Sequence, residues 1–291
     1  MQGRIHITQI VPTDIVHVFS GYQEVIDTLL WGAQELGYEA TFAFNALRPD
    51  ARNIVFSAHN ASIDLLKSFP PDTIIYNLEQ SWGMFLPIKG EDTMPHLRES
   101  YDFMRKTFMF WDYSTKNVEA MLTVESPMPA RHVPIGYAPV LQRIPKPAEQ
   151  DIDVLIYGYP HEYRLGLFEK LCAQWKKCVF ACGVYGAMRD DLIARSKIVL
   201  NITGGHDESI WPIVRGSYLL ANRKLVVADL QPFLHIEGDM MQAVKFATTE
   251  QLPWVCHEWL NNDEARAAAE QQGFEVMARR DIRAILAMAL A

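Results

Sequence analysis

The sequence predicts an α/β fold of two Rossmann-like halves, each a parallel sheet covered by helices. Short apolar runs rich in β-branched residues alternate with segments of helical period along the chain, the pattern of βαβ units whose strands are buried on both faces. A stretch at 138–150 (APVLQRIPKPAEQ) carries Pro139, Pro145 and Pro147, lacks periodicity and divides this alternation in two. The clearest unit is SKIVLNITGGHDESIWPIVRGSYLLANRKLVVAD at 196–229. It reads as a buried strand (198–202), a polar glycine loop, a helix (210–222) and a second buried strand (224–228). Glycines in that loop let backbone approach a ligand, and a helix opening behind them offers free N–H groups to an anion. In a doubly wound sheet, ligands bind at the carboxyl ends of the strands.

In chain order, 4–11 reads as the first strand and 14–22 as the loop leaving it. Residues 23–36 place Val25, Ile26, Leu29, Leu30, Ala33 and Leu36 at helical period and stop at Gly37; 40–44 is the next strand and closes a βαβ unit. Strands follow at 53–57 and 73–77 around a helix at 61–67, with Pro70-Pro71 turning the chain between them. A helix at 95–106 precedes a strand at 107–110, Ser114 caps a helix at 115–122, and a strand at 131–135 ends at Gly136. The first sheet therefore has five or six strands. The second half opens with a strand at 154–157. A helix at 164–175, a strand at 179–181 and a helix at 189–195 lead into the 196–229 unit. A further strand at 244–247 precedes a helical tail at 261–291.

Composition bounds the function. The chain has 291 residues, 49% apolar and 21% charged, which suffices for two cores. A net charge of −8 with no Lys/Arg-rich run excludes nucleic acid as a polyanionic partner, whereas a small phosphorylated ligand needs only one or two local cations. Cys172, Cys178, Cys182 and Cys256 form no zinc pattern and read as free, mostly buried thiols of a reducing compartment. MQGRIHITQIVPTD lacks the apolar core of a signal peptide, and no stretch reaches about 18 uninterrupted apolar residues. The expectation is a cytoplasmic protein with no membrane span.

SKIVLNITGGHDES followed by WPIVRGSYLLANRKLVVAD is similar to the nucleotide-sugar-binding half of bacterial group 1-type glycosyltransferases, enzymes of the GT-B fold. RNIVFSAH (52–59), IIYNLEQ (74–80), FWDYSTKNVE (110–119), VPIGYAP (133–139), DIDVLIYG (151–158) and RDDLIARSKIVLN (189–201) extend the resemblance, in consistent order, over about residues 20–230. It implies two Rossmann-like domains facing a central cleft: 1–137 for the acceptor, a linker at 138–150, and 151–291 for the nucleotide sugar. In such enzymes the last helix often returns to the first domain. It implies a metal-independent hexosyltransferase with no cofactor, a nucleotide-sugar donor as co-substrate, and an unidentified acceptor (saccharide, small molecule or protein). Many of these enzymes carry two glutamates separated by seven residues around the donor helix. Here Glu208 is early, and Pro212 and 215–218 stand where acidic positions would be sought. A nucleotide-sugar 2-epimerase-like activity and a non-catalytic nucleotide- or sugar-binding module therefore stay open.

Sugar transfer requires the leaving diphosphate to be neutralised and the acceptor hydroxyl to be placed and deprotonated. For the phosphates, the candidates are the backbone of Gly204, Gly205 and His206, Arg164 after YGYPHEY, and Arg215 about one and a half turns into the following helix. Arg is preferred for its forked anion recognition, the alternative being surface ion pairs. Tyr157 and Gly158 end the second half's first strand, where Tyr157 stacks on or edges the nucleotide or belongs to the core. Asp229 ends the strand after the donor helix, as a donor contact or a solvated loop residue. In the first half, Ser20, Gly21 and Tyr22 form the cleft loop. Glu79, at the end of an apolar strand, is the leading base or acceptor-hydroxyl ligand, with a turn-capping role as its alternative. His59 can serve the same role or be a satisfied loop histidine. Asp112 reads as the cap of the helix near Ser114. Asp151 and Asp153 spell DxD, but they precede a strand at its amino end and are assigned no metal; Asp190-Asp191 compensate a helix dipole.

Overall fold

The structure, a computed structural model, describes residues 3–12, 21–80, 95–123, 129–174, 177–204, 210–232 and 234–291. The chain forms two compact units, Met1–Ile135 with Ile282–Ala291, and Gly136–Asp281.

The first unit runs β1 (Arg4–Gln9), α1 (Gln23–Glu35), β2 (Glu39–Phe44), β3 (Arg52–Phe56), α2 (Ile63–Lys67), β4 (Ile74–Asn77), α3 (Pro95–Thr107), β5 (Met109–Asp112), α4 (Thr115–Thr123) and β6 (Ala130–His132). Its six strands pair in the order β2-β1-β3-β4-β5-β6, every pair parallel. The apolar residues of β3 and β4 are buried on both faces of the sheet: Val55 and Ile75, with Phe110 of β5, pack with Leu66, Phe69, Met104 and Phe108.

The second unit runs β7 (Ile152–Tyr157), α5 (Glu162–Cys172), β8 (Cys178–Ala181), α6 (Gly186–Arg195), β9 (Ser196–Leu200), α7 (Ile213–Ala221), β10 (Leu225–Asp229), α8 (Met240–Ala243), β11 (Lys245–Ala247), α9 (Leu252–Leu260) and α10 (Asp263–Ala278). The sheet order is β11-β10-β9-β7-β8, again all parallel. Its core joins Val154, Ile156, Ile198, Leu200 and Val227 to Leu167, Leu171 and Leu252 from the covering helices. The last helix, α11 (Ile282–Leu290), belongs to the first unit and lies against α1. Gly32 makes room for it, since a Cβ there would come 2.9 Å from Ile282 Cγ2. No described helix is long and apolar enough to cross a membrane.

Three details depart from the sequence reading. The strand expected at 198–202 ends at Leu200 and the helix expected at 210 begins at Ile213. Between them Ile210 bridges to His235, and the Trp211 amide donates to the His235 carbonyl at 3.0 Å. Pro212 then sets the helix start, so the glycine loop does not open directly onto α7. Residues 138–150, a linker by composition, lie within the second unit. Leu141 and Ile144 are buried there, and Asn222 Oδ1 accepts from the Arg143 and Ile144 amides at 3.0 and 2.9 Å. The cysteines are less buried than expected: Cys172 and Cys182 are exposed.

Candidate functional site

Two side-chain clusters sit at the carboxyl ends of strands, one in each unit. In the second unit the chain leaves β7 at Tyr157 and turns at Gly158, whose φ of +132° suits glycine alone. A Cβ on Gly158 would lie 2.8 Å from Arg215 Nη2 and 3.3 Å from Arg164 Nη1, so two guanidiniums converge on one backbone position. Arg164, in the first turn of α5, is buried. Its Nε donates to the Ile202 and Thr203 carbonyls at 3.0 Å each, and Nη1 to the Tyr159 carbonyl at 3.0 Å. Arg215 stands in the first turn of α7, nearer its start than expected. It donates from Nη1 to Asn201 Oδ1 at 3.2 Å, and its guanidinium lies 5.2 Å above the Tyr157 ring. Tyr157 is thus a platform for Arg215 and is itself buried, while its neighbour Tyr159 is 70% exposed. An anion held between the two guanidiniums would be hydrogen-bonded from both sides.

Asp229 is completely buried at the end of β10. Oδ1 accepts from the Thr203 amide at 3.0 Å; Oδ2 accepts from Thr203 Oγ1 at 2.6 Å, the Tyr163 hydroxyl at 3.0 Å and Gln231 Nε2 at 3.1 Å. Burial pushes the Tyr163 phenol up to about 12, which keeps it a donor. Asp229 is therefore neither solvated nor open to a ligand on these bonds; it fixes the segment whose carbonyls orient Arg164. Gly204 follows, half-buried, whereas Gly205 and His206 lie outside the described residues.

In the first unit Ser57 adopts φ +55°, uncommon for a residue with a side chain, and swings the chain into a turn at Ala58–Asn60. Asn60 Nδ2 ties that turn to the Ile10 carbonyl at 3.2 Å. His59 thereby joins Tyr22, Tyr76, Glu79, Tyr101 and Phe110 around a small, open recess. The Tyr22 hydroxyl donates to Glu79 Oε1. Burial lowers the His59 imidazole from its ordinary range, with the Glu79 charge acting in the other direction, so His59 is neutral and able to accept a proton at neutral pH. Burial pushes Tyr101 up to about 12 and Tyr22 well above the usual phenol range, with Glu79 adding to both. Gly21 is exposed at the start of this segment; Ser20 lies outside the described residues.

The glutamate is held from behind. Its carbonyl accepts from Asn77 Nδ2 and Asn117 Nδ2, both at 2.9 Å. Asp112 binds the same two amides, at 2.7 Å from Asn77 and 3.0 Å from Asn117, and also accepts from the Ser114 amide at 2.8 Å. The sequence reading gave Asp112 only the Ser114 contact and missed both asparagines. The available signal was an amide five residues after Asp112 and another two before Glu79.

Burial, opposed by these hydrogen bonds, pushes the Asp112 carboxyl up to about 7. Its native value exceeds the unfolded one, so its contribution to stability is full below about pH 4 and is lost as pH rises toward 7. Asp112→Asn removes that titration and turns an amide N–H toward a donor. The variant is expected to be destabilised by about 1–3 kcal/mol, with a flatter dependence of its urea midpoint on pH between 4 and 8 than the wild type. Parallel pH curves for the two would contradict this assignment.

The DxD letters lead elsewhere, since Asp151 pairs with Arg195 at 2.7 Å and Asp153 with Lys197 at 2.8 Å. Among the described residues, no group of three or more His, Cys, Asp or Glu side chains is arranged to hold a metal ion.

No protein-family model matches the sequence, and no curated protein does either. Solved structures do match. Anabaena HepE in complex with UDP and glucose aligns over 99% of both chains, with a TM-score of 0.62 at 9% identity. The fold is GT-B-like. WaaG, a glycosyltransferase involved in lipopolysaccharide biosynthesis, aligns over 98% of both chains at a TM-score of 0.62 and 10% identity. A Listeria monocytogenes structure provisionally described as a UDP-N-acetylglucosamine 2-epimerase covers 98% of this chain and 96% of its own, at 0.53 and 13%. At these identities the likeness carries the GT-B-like architecture and no residue role.

Proposed function

We propose that the protein is a hexosyl-type glycosyltransferase that takes a sugar from a nucleotide-sugar donor held by the second unit and passes it to an acceptor held by the first. The observation that carries this reading is the convergence of Arg164 and Arg215 on Gly158. Departure of a nucleoside diphosphate leaves negative charge on phosphate oxygens, and two forked guanidiniums in fixed positions suit that charge. They would do what a divalent ion otherwise does for a leaving phosphate, which makes the proposed reaction metal-independent and without a resident cofactor. The complexes of HepE, which its structures hold with UDP and glucose, favour a nucleotide-sugar donor on a shared fold.

Gly204, Gly205 and His206 remain the proposed backbone contacts to the phosphates, and Ser20, Gly21 and Tyr22 the loop beside the acceptor. Glu79 and neutral His59 are the proposed acceptor-side groups, one orienting the hydroxyl and one taking its proton as oxygen attacks the anomeric carbon. Tyr22 keeps one Glu79 oxygen oriented for that task.

Turnover with a panel of UDP-, GDP-, ADP- and dTDP-sugars, read as released nucleoside diphosphate, tests the reading. The wild type is expected to consume at least one donor. Glu79→Gln is expected to lower kcat by roughly 10²–10⁴-fold while leaving donor Kd unchanged. Full turnover in both Glu79→Gln and His59→Ala would remove the acceptor-side assignment. Sugar interconversion without any acceptor would mark an epimerase instead.

A further inference from the structure

Cys172 is the last residue of α5 and Cys178 the first of β8. The helix lies on that strand, with Phe168 and Phe180 edge to face at 5.7 Å. Cys172 lies one helical turn beyond Phe168 and Cys178 two strand residues before Phe180, so each cysteine shares the face of the ring that makes this contact and the two stand opposite each other where α5 ends and β8 begins. Cys172 is exposed, Cys178 is half-buried, and Cys256 lies fully buried in the core that Cys178 packs against. Cys182 is exposed just beyond the other end of β8.

We propose that Cys172 and Cys178 form a reversible oxidation site, closing to an intramolecular disulfide on reaction with a small disulfide such as oxidised glutathione. The exposed Cys172 is the point of entry. Cys178, half-buried, is the resolving partner by position; burial, with the Cys172 thiol and Asp153 adding to it, pushes its thiol up to about 12, so closure of the bond speeds up as pH rises. The Cys172 thiolate attacks one sulfur of glutathione disulfide, forming a mixed disulfide and releasing one glutathione. Cys178 then gives up its proton and attacks the Cys172 sulfur, and the second glutathione leaves with that proton. Two protein thiols are oxidised by two electrons, and one glutathione disulfide is reduced to two thiols. The bond would staple the end of the helix that carries Arg164 to the edge strand of its own sheet. This site stands whether or not the donor reading does.

The experiment treats the full-length protein with oxidised glutathione and maps its peptides. Trypsin cuts after Lys176 and Lys177, between the two cysteines, so the bond appears as one cross-linked peptide pair. The expected result is that pair, lost on reduction and absent from Cys172→Ser, an exposed and therefore fold-tolerant change. Cys178→Ser is expected to stop at a glutathione adduct on Cys172, and Cys182→Ser to cross-link as the wild type does. A wild type that keeps a stable glutathione adduct on Cys172, keeps both thiols free, or links through Cys182 would overturn the proposal.

Discussion

Gly158→Ala is expected to weaken nucleoside-diphosphate binding by roughly 10–100-fold, the loss of one charge-assisted hydrogen bond or two. The new methyl group would occupy the point 2.8 Å from Arg215 Nη2 and 3.3 Å from Arg164 Nη1. Arg164 cannot retreat without leaving the Ile202, Thr203 and Tyr159 carbonyls. Arg215 is held by longer bonds, 3.2 Å to Asn201 Oδ1 and 3.5 Å to the Ile202 carbonyl, so it is the one expected to shift, and the convergence is lost. The φ of +132° adds backbone strain on top of the steric effect. Circular dichroism and a melting curve separate the two effects. A modest fall in Tm with a large loss of affinity is the expected pair, and unchanged affinity in a folded variant removes Gly158 from the site.

Gly216→Ala is expected to be among the most destabilising single changes in the second unit. A Cβ there would sit 2.2 Å from Trp211 Cη2 and 2.7 Å from Cζ2. Trp211 is 1% exposed and packed edge to face on Phe246 at 5.6 Å, so the ring has little room to yield. Helix propensity alone favours alanine by about 1 kcal/mol, opposite in sign to the overpacking penalty of about 1–3 kcal/mol or more. With contact at 2.2 Å the penalty wins. A net loss of about 2 kcal/mol lowers Tm by roughly 4–8 °C in a unit of this size. Gly166→Ala in α5 is the matched control: nothing lies within 4 Å of its Cβ, so the same substitution is expected to stabilise. Equal shifts for the two would show that Trp211 does relax.

Both expectations come from glycines whose meaning lies in three dimensions. The strands were legible because their apolar runs have a single reading in a parallel sheet: β3, β4, β9 and β10 differ from the expected bounds by one or two residues. The start of α7 was not legible. The apolar run through Ile210 and Trp211 has helical spacing, yet a backbone bridge to His235 outweighs it. At the sites, residue type pointed to Arg164, Arg215 and Glu79, because forked cations and a carboxylate at strand ends suggest their chemistry. Their supports were hidden, being contacts between distant segments: Asp112 reaches Glu79 through Asn77 and Asn117, and Asp229 reaches Arg164 through Thr203. The Arg215–Tyr157 stack is of the same kind, since neither residue signals the other in sequence.

Titration calorimetry of the wild type and Arg215→Ala with UDP, GDP, ADP and dTDP tests the central claim most directly. The expected result is saturable binding of at least one nucleotide by the wild type and affinity reduced at least about 10-fold in Arg215→Ala. Absence of binding to any of the four, or equal affinity in the two proteins, would contradict a diphosphate site between Arg164 and Arg215.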